Sequence, residues 1–362
     1  MKLALLSDGR SPHTRRWASY FAAQGDDVLL LSLEAIVEQP VTARRLGPRL
    51  RPAALAYTLA LPTARRALAR FAPDLVNAHF VPNYGWMAWL LGARPWVLST
   101  WGSDVLVNPR RSPLHRWRAQ RILRAADLVT SDAAMLTAAI QDLAGPGLPV
   151  HTAPMGIDRA LFERAGEAVA APRERVILHN RNLEPIYDLP TVLRGMPSLF
   201  AAHPDWNLRL AGDGSQRAAL ERLTASLGLE GRVVFLGRLG RAALMAELQR
   251  AAIYLSASRS DSTSVSLLEA MAMGAYPVLS DLPANREWVA GPPAGQYFPV
   301  GHADALAAAL ATAIALPAAA LAAARAANRA IVAARAIWEE NMAGLRARFL
   351  ALAAGGAEGG GP

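Results

Sequence analysis

Between Ile253 and Val289 the chain reads as a short apolar strand, a turn of serines and threonines, a helix, a glycine and a second apolar strand. Ile253–Ser256 carries the first strand; Val265, Leu268, Met271 and Ala272 then recur at helical spacing, and Tyr276–Ser280 is the second strand. Such a unit belongs to a parallel sheet covered by helices, where ligands gather at the carboxyl ends of the strands. Two carboxylates bracket the turn. Asp261 lies in the loop, and Glu269 lies about one turn inside the helix that Ser262, Thr263 and Ser264 are placed to cap. A helix opening there aims free backbone N–H groups and the positive end of its dipole between the two acids, which suits a phosphate. A carboxylate accepts two hydrogen bonds from a vicinal diol, so the whole suits a sugar nucleotide. Taken alone, the pair would more simply be one surface acid and one salt-bridged acid on a capped helix; the surrounding strand, hydroxyl-rich turn, Leu-Leu-Glu-Ala-Met-Ala helix and second strand favour a site.

This stretch resembles the signature of the retaining GT-B glycosyltransferases, the large family with an acidic-x7-Glu motif followed by a Leu-Glu-Ala-Met-Ala helix. The resemblance implies that Asp261 contacts donor-sugar hydroxyls, that Glu269 binds the ribose diol, and that the helix start at Ser264, Val265 and Ser266 faces the diphosphate. Two features depart from the pattern. Asp261 replaces the usual Glu, and the run Ser262–Ser266 replaces a Gly-aromatic-Gly sequence. Asp is one methylene shorter, so the sugar must sit closer or a hydroxyl of the run must share the contact.

The same alternation of strand and helix fills both halves of the 362 residues, a length that suits two domains with cores of their own. The reading is α/β, two doubly wound Rossmann-like domains facing each other across a cleft, with a C-terminal helix crossing back to the first. Residues 1–165 with the helix 336–352 make the acceptor half, 172–335 the nucleotide-sugar half, and the Gly-rich 353–362 a disordered tail. The chain has no cysteine, which removes disulfides, thiolate metal sites and cysteine nucleophiles. Residues 2–7 read as a buried first strand, too short an apolar run for a signal peptide, and no apolar run is long enough to span a bilayer.

In the first half, Gly9 stands without a G-x-G-x-x-G fingerprint, which argues against a nicotinamide-type site. The pattern Ser11, His13, Arg16, Trp17 looks like the first loop of a subgroup of the same transferases, where it borders the cleft, and places Gly9 on the acceptor side. Most of the family reads His-Gly-x-Asp where this chain has Trp101-Gly102-Ser103-Asp104. Trp101 and Asp104 therefore fall on the acceptor side, Trp101 as a stacking platform, and His13 and His79 become the candidates for a catalytic histidine, each being equally a residue satisfied by backbone at a strand end. In the second half, Arg181 follows a strand where relatives grip the diphosphate. The lysine that follows in relatives is replaced by Ile186-Tyr187-Asp188, with Arg259 as the substitute cation or an ordinary surface arginine. Gly212 and Gly214 form a tight turn that would let backbone approach a phosphate or base, and Arg238 lies where relatives bind the nucleobase through backbone groups.

Positive charge is unevenly placed: residues 39–124 hold 14 arginines against Asp74 and Asp104. An acidic partner is implied, and a basic amphipathic segment from Arg44 to Arg70, read as one or two helices broken near Pro62, suits an anionic membrane as well as it suits a solvated face. Nucleic acid fits poorly, since no reading module is present and the second half is not basic. The function expected is retaining, metal-independent transfer from a nucleotide-diphosphate sugar to a carbohydrate or lipid-linked acceptor, with Asp261, Arg181, His13 and His79 as catalytic candidates and no cofactor or bound metal. A cytoplasmic place, peripheral at the inner face of the membrane, accompanies it. A nucleotide-sugar hydrolase or epimerase on the same fold, or a non-catalytic nucleotide-sugar-binding protein, are the alternatives.

Overall fold

The structure is a computed structural model that describes residues 1–38, 40–47, 53–168 and 172–358. It divides into two compact units, Met1–Ala153 with the chain from Glu340 onward, and Pro154–Glu339. The boundaries differ from the composition-based ones. The Ala/Gly/Pro-rich segment before Pro172 was the expected divide, but Ile157 bridges Ile337, its N–H donating to the Ala336 carbonyl at 2.8 Å. Tertiary pairing thus draws residues 154–168 into the second unit.

The first unit is built on a sheet of β1 (Lys2–Leu6), β2 (Asp27–Ser32), β3 (Thr42–Arg45), β4 (Leu75–His79), β5 (Trp96–Ser99), β6 (Leu128–Ser131) and β7 (Val150–Thr152), in the order β3-β2-β1-β4-β5-β6-β7. Every neighbouring pair is parallel. The central strands are near-continuous apolar runs because helices cover both faces, and Leu3, Leu5, Leu6, Leu30 and Leu31 are fully buried. The second unit repeats the plan with β8 (Glu174–His179), β9 (Asn207–Ala211), β10 (Val233–Gly237), β11 (Ala251–Ser256), β12 (Tyr276–Ser280) and β13 (Gln296–Phe298), in the order β10-β9-β8-β11-β12-β13, again parallel throughout. In each sheet the order reverses once, between β1 and β4 and between β8 and β11. A crevice opens at such a point because the connections leave toward opposite faces.

Two expectations for the first unit change. Thr42–Arg45, inside the basic stretch, is an edge strand whose exposed arginines hid it from any apolar alternation, and helices follow at Ala53–Leu59 and Leu61–Phe71. The final helix, Trp338–Glu358, continues past Leu352 through the first part of the expected tail; residues 359–362 lie outside the described residues. From Glu340 that helix belongs to the first unit, where Phe349 stacks on Phe21 at 5.4 Å and Arg346 pairs with the fully buried Asp26 at 2.7 Å. Burial alone would raise the Asp26 pKa, but Arg346 and the terminal ammonium of Met1, 2.9 Å away, hold it below the usual value.

Candidate functional site

In the second unit the polar residues gather where β8 and β11 part. Arg181 follows β8, and the loop after β11 runs through Ser258 to Ser264, whose hydroxyl accepts from the Leu267 amide and caps the helix Val265–Met273. Unlike the one-faced stripe expected, this helix is buried nearly all round from Leu267 to Met273, including Glu269, so it sits as a core element with its mouth open to the loop. The Val265 and Ser266 amides, in the first turn, find no acceptor among the described residues.

Arg181 ties this corner together. Its guanidinium meets the Asp261 carboxylate at 2.8 Å, donates to the Ser264 hydroxyl, and lies over the Tyr187 ring at 4.4 Å. Burial is the largest single influence and works against its charge, yet Asp261 together with the Tyr254 and Tyr187 phenols lifts the guanidinium pKa above its ordinary value. The residues expected to hold a diphosphate and sugar hydroxyls therefore hold each other. Glu269 is also engaged, its Oε1 accepting from Arg241 at 3.1 Å while the same guanidinium reaches Asp158 at 2.9 Å. Arg241 was not singled out from the sequence; its place at the start of a helix after the Gly237–Gly240 loop gave no charge pattern to find it by.

Other second-unit candidates are placed differently from expectation. Arg259 turns away from Asp261 and pairs with Asp188 at 2.9 Å, because its backbone N–H is fixed on the Ile186 carbonyl. Gly212 and Gly214 are small for an internal reason: a Cβ on either would stand 2.5 Å from a carbonyl oxygen, of Arg181 and Leu183 respectively, so they let the loop carrying Arg181 lie close. Arg238 is exposed, and its side chain makes no hydrogen bond or ion pair among the described residues.

In the first unit a cavity of about 420 Å³ opens where β1 and β4 part, lined by residues including Ser7, His13, Glu34, Tyr84 and Trp101. His13 sits in the first turn of the helix Pro12–Ala23, capped by Ser11. Its ring lies 5.3 Å from that of Trp101, which is also 5.3 Å from His79. His79 is buried with both ring nitrogens engaged. Asn77 donates to the Val97 carbonyl, so its Oδ1 accepts from His79 Nε2 at 3.0 Å and His79 Nδ1 accepts from Ser7 at 3.1 Å. Burial, with His13 nearby, pushes its pKa down to about 3. His79 therefore lines the cavity as a neutral ring with no lone pair left to take a proton. The pKa of His13 is lowered by burial and by Arg16.

Gly9 and Asp104 do not line the cavity. Gly9 donates to the Ser32 hydroxyl at 2.9 Å, and Asp104, fully buried, accepts from the Trp101 and Val81 amides at 3.0 Å each. Burial raises the Asp104 pKa to about 6. Its work is to hold the Trp101 loop in place. Phe80, next to His79, carries a backbone φ of +74°, a region that favours glycine, where the chain leaves β4 and bends along the cavity wall. Glu34, Tyr57 and Tyr84 were missed from the sequence because they come from three separate elements and meet only in three dimensions.

Residues 164–331 match the family model of glycosyl transferases group 1, and residues 2–133 match the glycosyl transferase 4-like model. Each half of the chain thus matches a glycosyltransferase family. Sucrose-phosphate synthase from Thermosynechococcus elongatus superposes with a TM-score of 0.80 at 19% identity, covering 97% of this chain and 99% of that one. Anabaena HepE in complex with UDP follows at 0.74, with 19% identity, 97% of this chain and 100% of that one. These likenesses establish the GT-B fold. In sequence, the phosphatidyl-myo-inositol mannosyltransferase of Mycolicibacterium smegmatis is 34% identical over 160 residues, 43% of this chain. The match spans 40% of that relative's length. A GDP-mannose-dependent mannosyltransferase of the same organism that acts on phosphatidylinositol monomannoside is 30% identical over 151 residues, 40% of this chain and 39% of the relative. No single helix among the described residues is long and apolar enough to cross a membrane.

Proposed function

We infer that this protein transfers a hexosyl group from a nucleotide-diphosphate sugar to a hydroxyl of a carbohydrate or glycolipid acceptor, with retention of anomeric configuration and without a metal ion. The observation that carries the reading is the meeting of Arg181, Asp261 and the mouth of the helix Val265–Met273 at the β8/β11 reversal, with Glu269 buried inside that helix. Departure of a nucleoside diphosphate builds negative charge on its terminal phosphate. Arg181 and the free amides of the helix mouth meet that charge, and their fixed placement is what lowers the barrier. When the diphosphate takes the Arg181 guanidinium, Asp261 is released to accept from sugar hydroxyls. Glu269, oriented by Arg241, offers its carboxylate to the ribose diol. The departing phosphate takes the acceptor proton on the same face, so no protein base is required, in keeping with the neutral His79.

The acceptor falls to the first unit and its cavity. The two mannosyltransferase relatives make a glycolipid acceptor the favoured class, and an anionic membrane a fitting surface. Leu114 and Trp117, 63% and 45% exposed, share a helix face with Arg121, with Arg110 and Arg111 just before the helix. This is the composition of a segment that lies in a headgroup layer. Residues 39 and 48–52 of the basic stretch lie outside the described residues. A cytoplasmic, peripheral location accompanies the proposal.

The test is incubation with UDP- and GDP-hexoses in EDTA, with and without glycolipid acceptor, and NMR of the product. Acceptor-dependent formation of a glycoside with the donor's anomeric configuration is expected. Free sugar or an epimer from donor alone, or a product only when a divalent metal is restored, contradicts the reading.

A further inference from the structure

Glu34 stands at the first-unit cavity as a carboxylate held by phenols rather than by cations. It is 5% exposed, its Oε1 accepts from the Tyr57 hydroxyl at 3.0 Å, and its Oε2 accepts from the Tyr84 hydroxyl. Tyr84 is itself fixed, accepting from the Leu33 amide at 2.9 Å. Among the described residues no ion pair involves Glu34. A carboxylate offers about four lone-pair positions; two are taken by the phenols, and the others are left for hydroxyl donors entering the cavity.

We propose that this cavity takes an uncharged polyhydroxylated ring and rejects rings that carry a phosphate or carboxylate, with Glu34 as the selecting group. The proposal rests on the reading of the first unit as the acceptor half and names the acceptor class that half takes. The charge inventory supports it. Asp8, the other acid of the lining, is met by Arg10 at 2.7 Å, and that guanidinium, although close enough to feel Glu34, is committed to Asp8 through two contacts. His79 stays neutral, and Arg16 and burial both discourage a proton on His13. A phosphate placed here meets an uncompensated carboxylate at low dielectric, whereas ring hydroxyls complete its hydrogen bonding. The rings of Trp101, Phe80 and Tyr57 supply apolar walls for the C–H faces of such a ring. An acceptor carrying a phosphodiester must therefore hold that group outside the cavity.

The experiment measures binding of methyl α-glucopyranoside, myo-inositol and their monophosphates to the full chain by ligand-observed NMR titration. A glycolipid bearing the same neutral ring, presented in micelles, forms a parallel arm. Each neutral ring should bind at least about tenfold more tightly than its monophosphate, and Glu34→Gln should narrow that gap to about threefold or less. Tyr57→Phe, which leaves the carboxylate in place, should keep the discrimination. Preference for the micellar ring identifies the neutral ring as part of a lipid, and equal binding identifies it as a free glycan; both support the proposal. Equal or tighter binding of the phosphates, absence of binding by any neutral ring, or an unchanged gap in Glu34→Gln overturns it. A thermal shift with UDP and GDP, run on the same samples, reads the second unit alone, so a failure here is distinguishable from a failure of the donor assignment.

Discussion

Both sheets reverse their strand order once, and the two reversals are furnished differently. At β8/β11 charge faces charge: Arg181 holds Asp261, and Arg241 holds Glu269. At β1/β4 a single carboxylate is cradled by phenols beside neutral imidazole and indole rings. Under the proposed function, the same backbone plan would serve one site that exchanges an internal ion pair for a charged ligand and another that offers hydrogen bonds to a neutral one. The Arg181–Asp261 pair, with both side chains largely buried, contributes little net stability because desolvation offsets attraction. Its retention at the second reversal fits the proposal that an anion replaces Asp261 on the guanidinium.

The contrast can be broken most severely at Arg181. Arg181→Ala leaves Asp261 without its partner and the leaving diphosphate without its cation, and kcat should fall by about 10²–10³-fold, while neutral-ring binding by the first unit stays at the parent value. Steady-state kinetics with the preferred donor check this, and a loss below about threefold removes Arg181 from the reaction. A second cut confines damage to the other unit. Arg346→Ala removes one of the two cations that hold the buried Asp26, leaving the Met1 ammonium, and should destabilise the first unit by about 2 kcal/mol, seen as a lowered first melting transition with nucleotide binding unchanged.

Two buried acids of the first unit also give opposite pH signatures. The Asp26 pKa is depressed, so its contribution is present above the unfolded value and is lost as pH falls through the folded one. The Asp104 pKa is raised to about 6, so the fold favours its protonated form, and its contribution is complete below the unfolded value and lost as pH climbs toward 6. Asp104→Asn should therefore make the first transition rise more steeply between pH 4 and 6 than in the parent, by about 1 kcal/mol or more.

Much of this was legible in the residues and some was not. Apolar strands alternating with helices announce two parallel sheets, and a hydroxyl-rich turn before an apolar helix announces the cap at Ser264, because both depend on neighbours in the chain. Thr42–Arg45 escaped because an edge strand needs no apolar face. Glu34 with Tyr57 and Tyr84 escaped because the three converge from distant segments. Gly212 and Gly214 were read as making room for a ligand, whereas they make room for the Arg181 loop. Arg259 was offered as a second cation and is drawn off by Asp188. For Gly212, Gly214 and Arg259 the sequence points to a close contact, and tertiary structure fixes the partner.

The smallest expected effect lies at the surface. Replacing Leu114 and Trp117 by Ala should reduce co-sedimentation with anionic vesicles by a few-fold, about 1 kcal/mol, leaving both reversals intact. Co-sedimentation of the parent no better than with neutral vesicles would remove the membrane from the account.

The most direct test of the central claim is a calorimetric titration of the parent and Glu269→Ala with UDP and GDP in EDTA, since the buried carboxylate of the second unit is assigned to the ribose diol. The account predicts that at least one nucleoside diphosphate binds the parent and that Glu269→Ala weakens it by about 10- to 100-fold, a charged hydrogen bond contributing about 1.5–3 kcal/mol. Equal affinity in the two proteins, or no binding of either nucleotide to the parent, would contradict it.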